Sequence, residues 1–440
     1  MKRAWAGLLI WAIAVIALLL TPRSLPALLT VTTVLACTGM WYARRLPLGV
    51  VLAAGMLVRI VAVGLPPLLS DDIYRFLWDG QLWWAGYHPL DFVPSAAPTS
   101  FAERHPSLLT LMNSPGYFTV YPPGSQLCFA LAAAVSSSIA AGTIALKAQL
   151  LLGELAVLYL LSRLDEHPGQ LGLRTYALFP LVIVEVCGNA HFESLALAGL
   201  LLAVFGFRQN RPILSGVGLG LGVLVKLVPA LAGPALLGAW LYRGKAGGAH
   251  SLSWGAAVRF SVAAGATVLG GLATFLLPSD LTGFGESLDL YFRTFEFNGS
   301  LYTLASAIGE WIQGYNWIAV VGPTLGIVAL VGILLLAVVG SRKRKPLVVV
   351  LLWSFAVYLA CATTVHPWYA IYLLGLGVLT PYRWPLLLGA SVVLSYFAYQ
   401  QANVHVPTWA LGLEYMPVVA LGWWEGRRRL SRSASASLAP

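Results

Sequence analysis

Residues 317–345 read WIAVVGPTLGIVALVGILLLAVVGSRKRK. Twenty-four residues without a charge are followed by Ser341 and four consecutive basic side chains, Arg342 to Lys345. A bilayer's hydrocarbon core, about 30 Å thick, takes about 20 helical residues to cross. Short cytoplasmic loops collect Lys and Arg. The stretch therefore reads as a membrane span ending in a cytoplasmic anchor. Working outward, comparable apolar runs lie near 5–21, 26–43, 47–66, 145–162, 174–188, 190–207, 212–225, 229–243, 256–277, 346–364, 368–380, 384–400 and 408–424.

Composition agrees. The 440 residues are 58% hydrophobic and 10% charged, with a mean hydropathy of +0.78, whereas soluble domains carry roughly 25% charged residues. That excludes a soluble enzyme, and disorder and coiled coil fall by the same comparison. The net charge of +10 sits in short clusters between apolar runs, so it does not indicate nucleic acid. Cys37, Cys128, Cys187 and Cys361 lie in apolar contexts without CxxC spacing and read as buried thiols. The N-terminal run to Leu20 is followed by Thr21-Pro-Arg-Ser-Leu-Pro26, a tight turn rather than a small-residue cleavage site, and is expected to be a retained first helix.

A weaker run, 124–141, decides the topology. If it does not cross, Lys2/Arg3, Arg44/Arg45, Arg163/Arg174, Arg208/Arg211, Arg243/Lys245, Arg342 to Lys345, Arg383 and Arg427 to Arg429 all fall inside. If it crosses, every later cluster flips outside. The expectation is thus a single all-α domain over 1–440 with about 14 spans, both termini inside, an interfacial helix at 124–141 and a cytoplasmic tail at 425–440. Two long segments, 67–123 and 278–316, then face outward. They hold most of the acidic residues together with many aromatics, and long aromatic loops in a compact protein are functional ones.

The first of these carries Ser70-Asp-Asp-Ile-Tyr-Arg-Phe-Leu-Trp-Asp-Gly80. Ser70 reads as an N-cap, with Asp71 and Asp72 in a helix's first turn. Spacing of i, i+4, i+8 puts Asp71, Arg75 and Asp79 on one face. A capped interfacial helix with one ion pair would explain this, but three carboxylates beside a membrane are costly without a task. A partly desolvated carboxylate can take the proton of an attacking hydroxyl while its neighbour holds substrate or a cation. Farther on, His191 and Glu193 occupy a short gap between two runs, and Lys226 interrupts GLGVLVKLVP at the outer end of a third. Lys226 is a snorkelling lysine or a cation for a departing phosphate, with Arg293 and His366 as companions. Glu154 and Glu185 read as paired within the bundle. No HExxH, paired CxxC, P-loop or GxGxxG is present, so neither a resident metal nor a nucleotide is required, although an Asp pair could hold a divalent cation weakly.

SDDIYRFLWDG with Ala85-Gly-Tyr-His-Pro89 resembles the first loop of GT-C superfamily glycosyltransferases, closest to bacterial polyprenyl-phosphate-mannose-dependent mannosyltransferases. The resemblance continues at Tyr121-Pro-Pro123, Gly188-Asn-Ala-His-Phe-Glu193, Val225-Lys-Leu-Val-Pro229, Phe295-Glu-Phe-Asn-Gly-Ser-Leu-Tyr302 and His366-Pro-Trp-Tyr369. It implies inverting transfer of a hexose, most often mannose, from a polyprenyl-phosphate donor to a lipid or glycan acceptor at the outer face of the bacterial inner membrane. An Asp of the first loop would be the general base: Asp71, with Asp72 as the alternative. Arg75, Asp79, His191, Glu193, Lys226, Arg293 and His366 would bind substrate. Glu193 stands where an Asp is common, and His88 where Asn is usual. The same resemblance reads Asn298-Gly-Ser300 as family motif rather than glycosylation acceptor. Rival readings are a transporter or lipid flippase, which would show paired repeats with broken helices, and a lipid-carrier phosphotransferase or ligase.

Overall fold

A computed structural model describes residues 1–136, 138–243, 252–276, 285, 295–401 and 403–437. Among these the chain is helical throughout, and its only ladder-like pairing is an isolated bridge of Phe297 and Asn298 with Thr364. Arg293 and the rest of 277–294 apart from Gly285 lie outside the described residues, as do 244–251, the greater part of one basic loop.

The expected all-α architecture with membrane-type apolar helices is present, and among the described residues fewer than fourteen helices are full-length spans. Five helices among the described residues are long and apolar enough to cross a bilayer alone: Lys2–Leu19, Pro26–Ala43, Ile139–Leu164, Trp254–Phe275 and Ile318–Arg342. The pair Pro168–Leu178 and Pro180–Gly188, bent by 44°, makes a sixth. Other apolar runs are short or broken. Pro212–Val225 has 14 residues and Pro123–Val135 has 13, roughly 20 Å at 1.5 Å per residue. Runs 229–243, 368–380 and 384–400 contain 3₁₀ segments at Val228–Ala232, Pro367–Tyr369 and Val392–Gln400. Proline explains two of these breaks, since Pro229 and Pro367 each start a new turn in which no preceding amide bond is required.

Close helix contacts rest on glycine. A Cβ on Gly199 would lie 2.5 Å from the backbone nitrogen of Gly222, so the helices Glu193–Arg208 and Pro212–Val225 touch backbone to backbone. A Cβ on Gly80 would lie 2.3 Å from the Phe129 carbonyl, which presses helix Asp72–Trp84 onto Pro123–Val135. Charges inside the bundle have polar partners. Arg59 and Glu154, both fully buried, form a 2.9 Å ion pair. Tyr176 donates to the same carboxylate at 3.0 Å. Buried Lys147 donates to the Leu65 carbonyl at 2.6 Å, just past the end of helix Leu48–Val63. On Ile318–Arg342, by contrast, Ile327, Val328, Leu334, Leu335 and Val338 are exposed; a continuous apolar face of this kind belongs against lipid.

Loop contacts sort the chain into two ends. At one end the basic loops meet: Arg44 and Arg174 bridge residues 44–46 to 174–175, Arg208 reaches the Leu164 carbonyl, and Arg243 that of Phe207. Arg342 meets Tyr242, and Arg429 the Pro381 carbonyl. At the other end lie 20–25, 64–72, 188–193, 225–228, 295–300 and 362–368, and there the acidic cluster assembles.

Candidate active site around Asp72 and His191

The formal N-cap of helix Asp72–Trp84 is Asp71, one residue later than expected, but Ser70 Oγ still receives the Asp72 amide at 3.2 Å. The start of this loop is held by the short connection at 188–193. Asn189 Oδ1 accepts the amides of Leu68 and Leu69 at 3.0 and 2.8 Å, while its Nδ2 donates to the Val184 carbonyl. Ala190, with φ of +64°, turns the chain so that His191 follows directly.

The two neighbouring carboxylates differ. Asp71 Oδ2 holds the Arg23 guanidinium at 2.5 Å, and both side chains are about one-third exposed. Asp72 turns inward. Its Oδ1 accepts from Asn113 at 3.0 Å, and its Oδ2 lies 3.9 Å from His191 Nε2. Arg75 and Asp79 pair as the helical spacing expects, at 2.8 Å, and both are buried. Arg75 also donates to the carbonyls of Ser114 and Tyr117, and Asp79 accepts from Gln126. Their polar atoms thus fasten segment 113–126 to the helix. Asp71 does not join them, because its charge is taken by an arginine from the first helical hairpin.

His191 is buried, with Nδ1 3.1 Å from Glu185 Oε2 and Nε2 without a hydrogen-bond partner. Burial pushes its imidazole down to about 4, opposed by Glu193 and Asp72 and reinforced by Lys226. The ring stacks on Trp368 at 3.5 Å between centroids. Trp368 stacks on His366 at 4.4 Å, and His366 on Phe297 at 4.9 Å. His366 is likewise pushed down, to about 3, by burial first and then by His191 and Lys226. Four parallel rings thereby join three distant segments. Phe297 is held by backbone bonds to Thr363 and Val365. Asn298 is buried and donates to Glu414, so it is no surface acceptor for glycosylation.

Lys226 caps helix Pro212–Val225 and ion-pairs with Glu193, whose carboxylate is fully buried and whose Oε2 has no partner. The ammonium also lies 5.7 Å above the Tyr369 ring. Asp72, His191, Glu193, Lys226 and His366 therefore come together, while Arg75 and Asp79 stand behind Asp72 and Asp71 stands at its rim. Arg23, Asn113 and Trp368 were not singled out from sequence. Only Trp368 carried a signal, as part of HPWY. Among the described residues no group of three or more His, Cys, Asp or Glu side chains has metal-binding geometry.

An apolar cavity of about 880 Å³ lies among the helices near this cluster. Its walls include Trp83, Trp84, Leu127, Leu195, Leu224 and Val225. The last is Lys226's neighbour, and Leu195 lies two residues from Glu193. His88 closes the adjoining loop through the Phe275 carbonyl at 2.8 Å.

No curated protein matches the chain. Residues 27–242, just under half of it, match the family described as alpha-(1->6)-mannopyranosyltransferase, N-terminal domain. That segment contains Asp71, Asp72, His191, Glu193 and Lys226, whereas His366 and Trp368 lie beyond it. Over that segment the chain is similar to the N-terminal domain of alpha-(1->6)-mannopyranosyltransferases, a likeness that supports a mannosyltransferase.

Proposed function

We propose that the protein transfers mannose from a polyprenyl-phosphate donor to a hydroxyl of a lipid or glycan acceptor, with inversion, at the outer face of a bacterial inner membrane. The observation that carries this reading is an apolar cavity whose wall includes Val225, the residue next to Lys226 of the buried polar cluster. A lipid-linked sugar phosphate has the matching shape: a long apolar chain ending in an anion and a sugar. Lys226 would face the phosphate, whose charge grows as it leaves. Arg293 and His366 remain proposed companions, and no cofactor is invoked.

Asp72 is the better base of the pair. It faces His191 and the cluster, whereas Asp71 would have to surrender Arg23 to accept a proton. Arg75 and Asp79 would act by holding Asp72 and the 113–126 segment in place. The outward orientation is supported by the gathering of basic loops at the opposite end. The direct test is purified protein with radiolabelled polyprenyl-phospho-mannose and a membrane lipid extract, products being separated by chromatography. A labelled lipid or glycan product is expected. Absence of transfer from this donor, with transfer from a nucleotide sugar instead, would overturn the donor assignment.

A further inference from the structure

Behind the imidazole that faces Asp72 stands a second carboxylate. Glu185 belongs to the π-helical turn Ile183–Gly188, a wide turn of the kind that recurs at functional sites. The turn carries Glu185 Oε2 to 3.1 Å from His191 Nδ1, and the His191 amide returns to the Glu185 carbonyl at 3.0 Å. Glu185 Oε1 accepts the Tyr396 hydroxyl at 2.8 Å. All three side chains are buried. With Glu185 as the carboxylate, Oε2 accepts from the ring as well, which sets the proton of the neutral imidazole on Nδ1 and leaves Nε2 a lone pair. That lone pair has no partner and points towards Asp72 Oδ2 across 3.9 Å. The gap is too long for a hydrogen bond, and it becomes bridgeable once Asp72 carries a proton to donate.

We propose that Asp72, His191 and Glu185 form a proton relay in which His191 is the second proton acceptor and Glu185 is the positioning residue that fixes its tautomer. The inference rests on the reading of Asp72 as base. As the acceptor oxygen bonds to the anomeric carbon, the bond from that carbon to the phosphate oxygen breaks, and the phosphate leaves with the electron pair. The hydroxyl proton passes to Asp72 and onward to His191 Nε2, leaving an imidazolium between two carboxylates. Of the other charged groups facing the ring, Glu193 favours the cation and Lys226 opposes it, and His366 lies beyond Trp368. The relay gives the proton a place to go from a base that is itself largely enclosed.

Two measurements on the full chain in lipid nanodiscs test this. In the first, solid-state nitrogen NMR of ¹⁵N-histidine-labelled protein reads the tautomer, the His191 signal among the seven histidines being identified by its loss in His191→Gln. Nδ1-protonated His191 is expected, with the other tautomer gaining in Glu185→Gln. An Nε2-protonated ring in the unaltered protein overturns the relay whatever the activity. In the second, Glu185→Gln and His191→Gln should lower kcat by about 10-fold or more with donor KM little changed, and Tyr396→Phe less. A wild-type kcat per folded molecule in Glu185→Gln overturns the relay while leaving the base assignment intact. Full activity in Asp72→Asn overturns both.

Discussion

Glu193 and Lys226 are held together one residue past Val225, a wall of the apolar cavity, the carboxylate wholly buried and the lysine keeping 16% of its side-chain surface. The pair is asymmetric: one partner has been desolvated, and the other still meets whatever enters. Lys226 is therefore more than a snorkelling lysine in geometry, and less than a free cation. Truncating it alone would leave a buried charge unpaired, at a cost of about 3–5 kcal/mol.

Lys226→Ala is accordingly expected to fold poorly, whereas Lys226→Met combined with Glu193→Gln should recover much of the thermal stability. A cation within about 4 Å of a phosphate charge is worth roughly 4 kcal/mol at an effective dielectric of 20, before desolvation is subtracted. The double variant should thus show a donor KM raised by about 10-fold or more. A donor KM equal to wild type, measured per folded molecule, would leave Lys226 as an ion-pair partner only.

For the carboxylates, Asp72→Asn should lose at least about 100-fold in transfer rate while remaining folded. Asp71→Asn should lose less, because its principal contact is the partly exposed Arg23 pair. Loss in Asp71→Asn with near-normal turnover in Asp72→Asn would move the base back one residue. Normal turnover in both would sink the mechanism.

Acid should destabilise the site. His191 is held at about 4 in the fold against an ordinary value of 6.5, so the unfolded chain takes up the proton first as pH falls. Its contribution is complete above pH 6.5 and is lost progressively between 6.5 and about 4, by at most about 1.4 kcal/mol per pH unit. His366, lowered for the same reason, works in the same direction. The melting temperature of the purified protein should fall over this interval, and less steeply in His191→Gln. An identical slope in that variant would place the acid sensitivity elsewhere.

Topology is open to labelling. In a cysteine-free background, single cysteines at 81–110 or 300–310 should react in intact cells with an impermeant thiol reagent. Cysteines at 246–250 or 342–345 should not. Outside labelling at 342–345 would show that the Pro123–Val135 region crosses after all.

Much of this was legible in the sequence, and the limits have physical causes. Hydropathy and basic clusters showed a helical membrane protein because lipid leaves few alternatives. Hydropathy also joined runs that the chain breaks, since Pro229 and Pro367 interrupt hydrogen bonding without changing polarity. Arg75 and Asp79 could be paired by spacing alone, because a helix sets four-residue neighbours side by side. Asp71 with Arg23, and Glu193 with Lys226, could not, for each pairing is made by tertiary packing. Glu185 looked like an ordinary intrabundle acid; only the π-helical turn sets it behind His191.

The contact of Gly80 with the Phe129 carbonyl has a consequence for protein engineering. One helix carries Asp72 at its first turn and Trp83 and Trp84, walls of the cavity, at its last. Because that helix has no room to shift against Pro123–Val135, chimeras between related enzymes should exchange residues 67–135 as one cassette. Swapping the acidic loop by itself would graft foreign side chains onto a mismatched bed and move both ends of the insert at once.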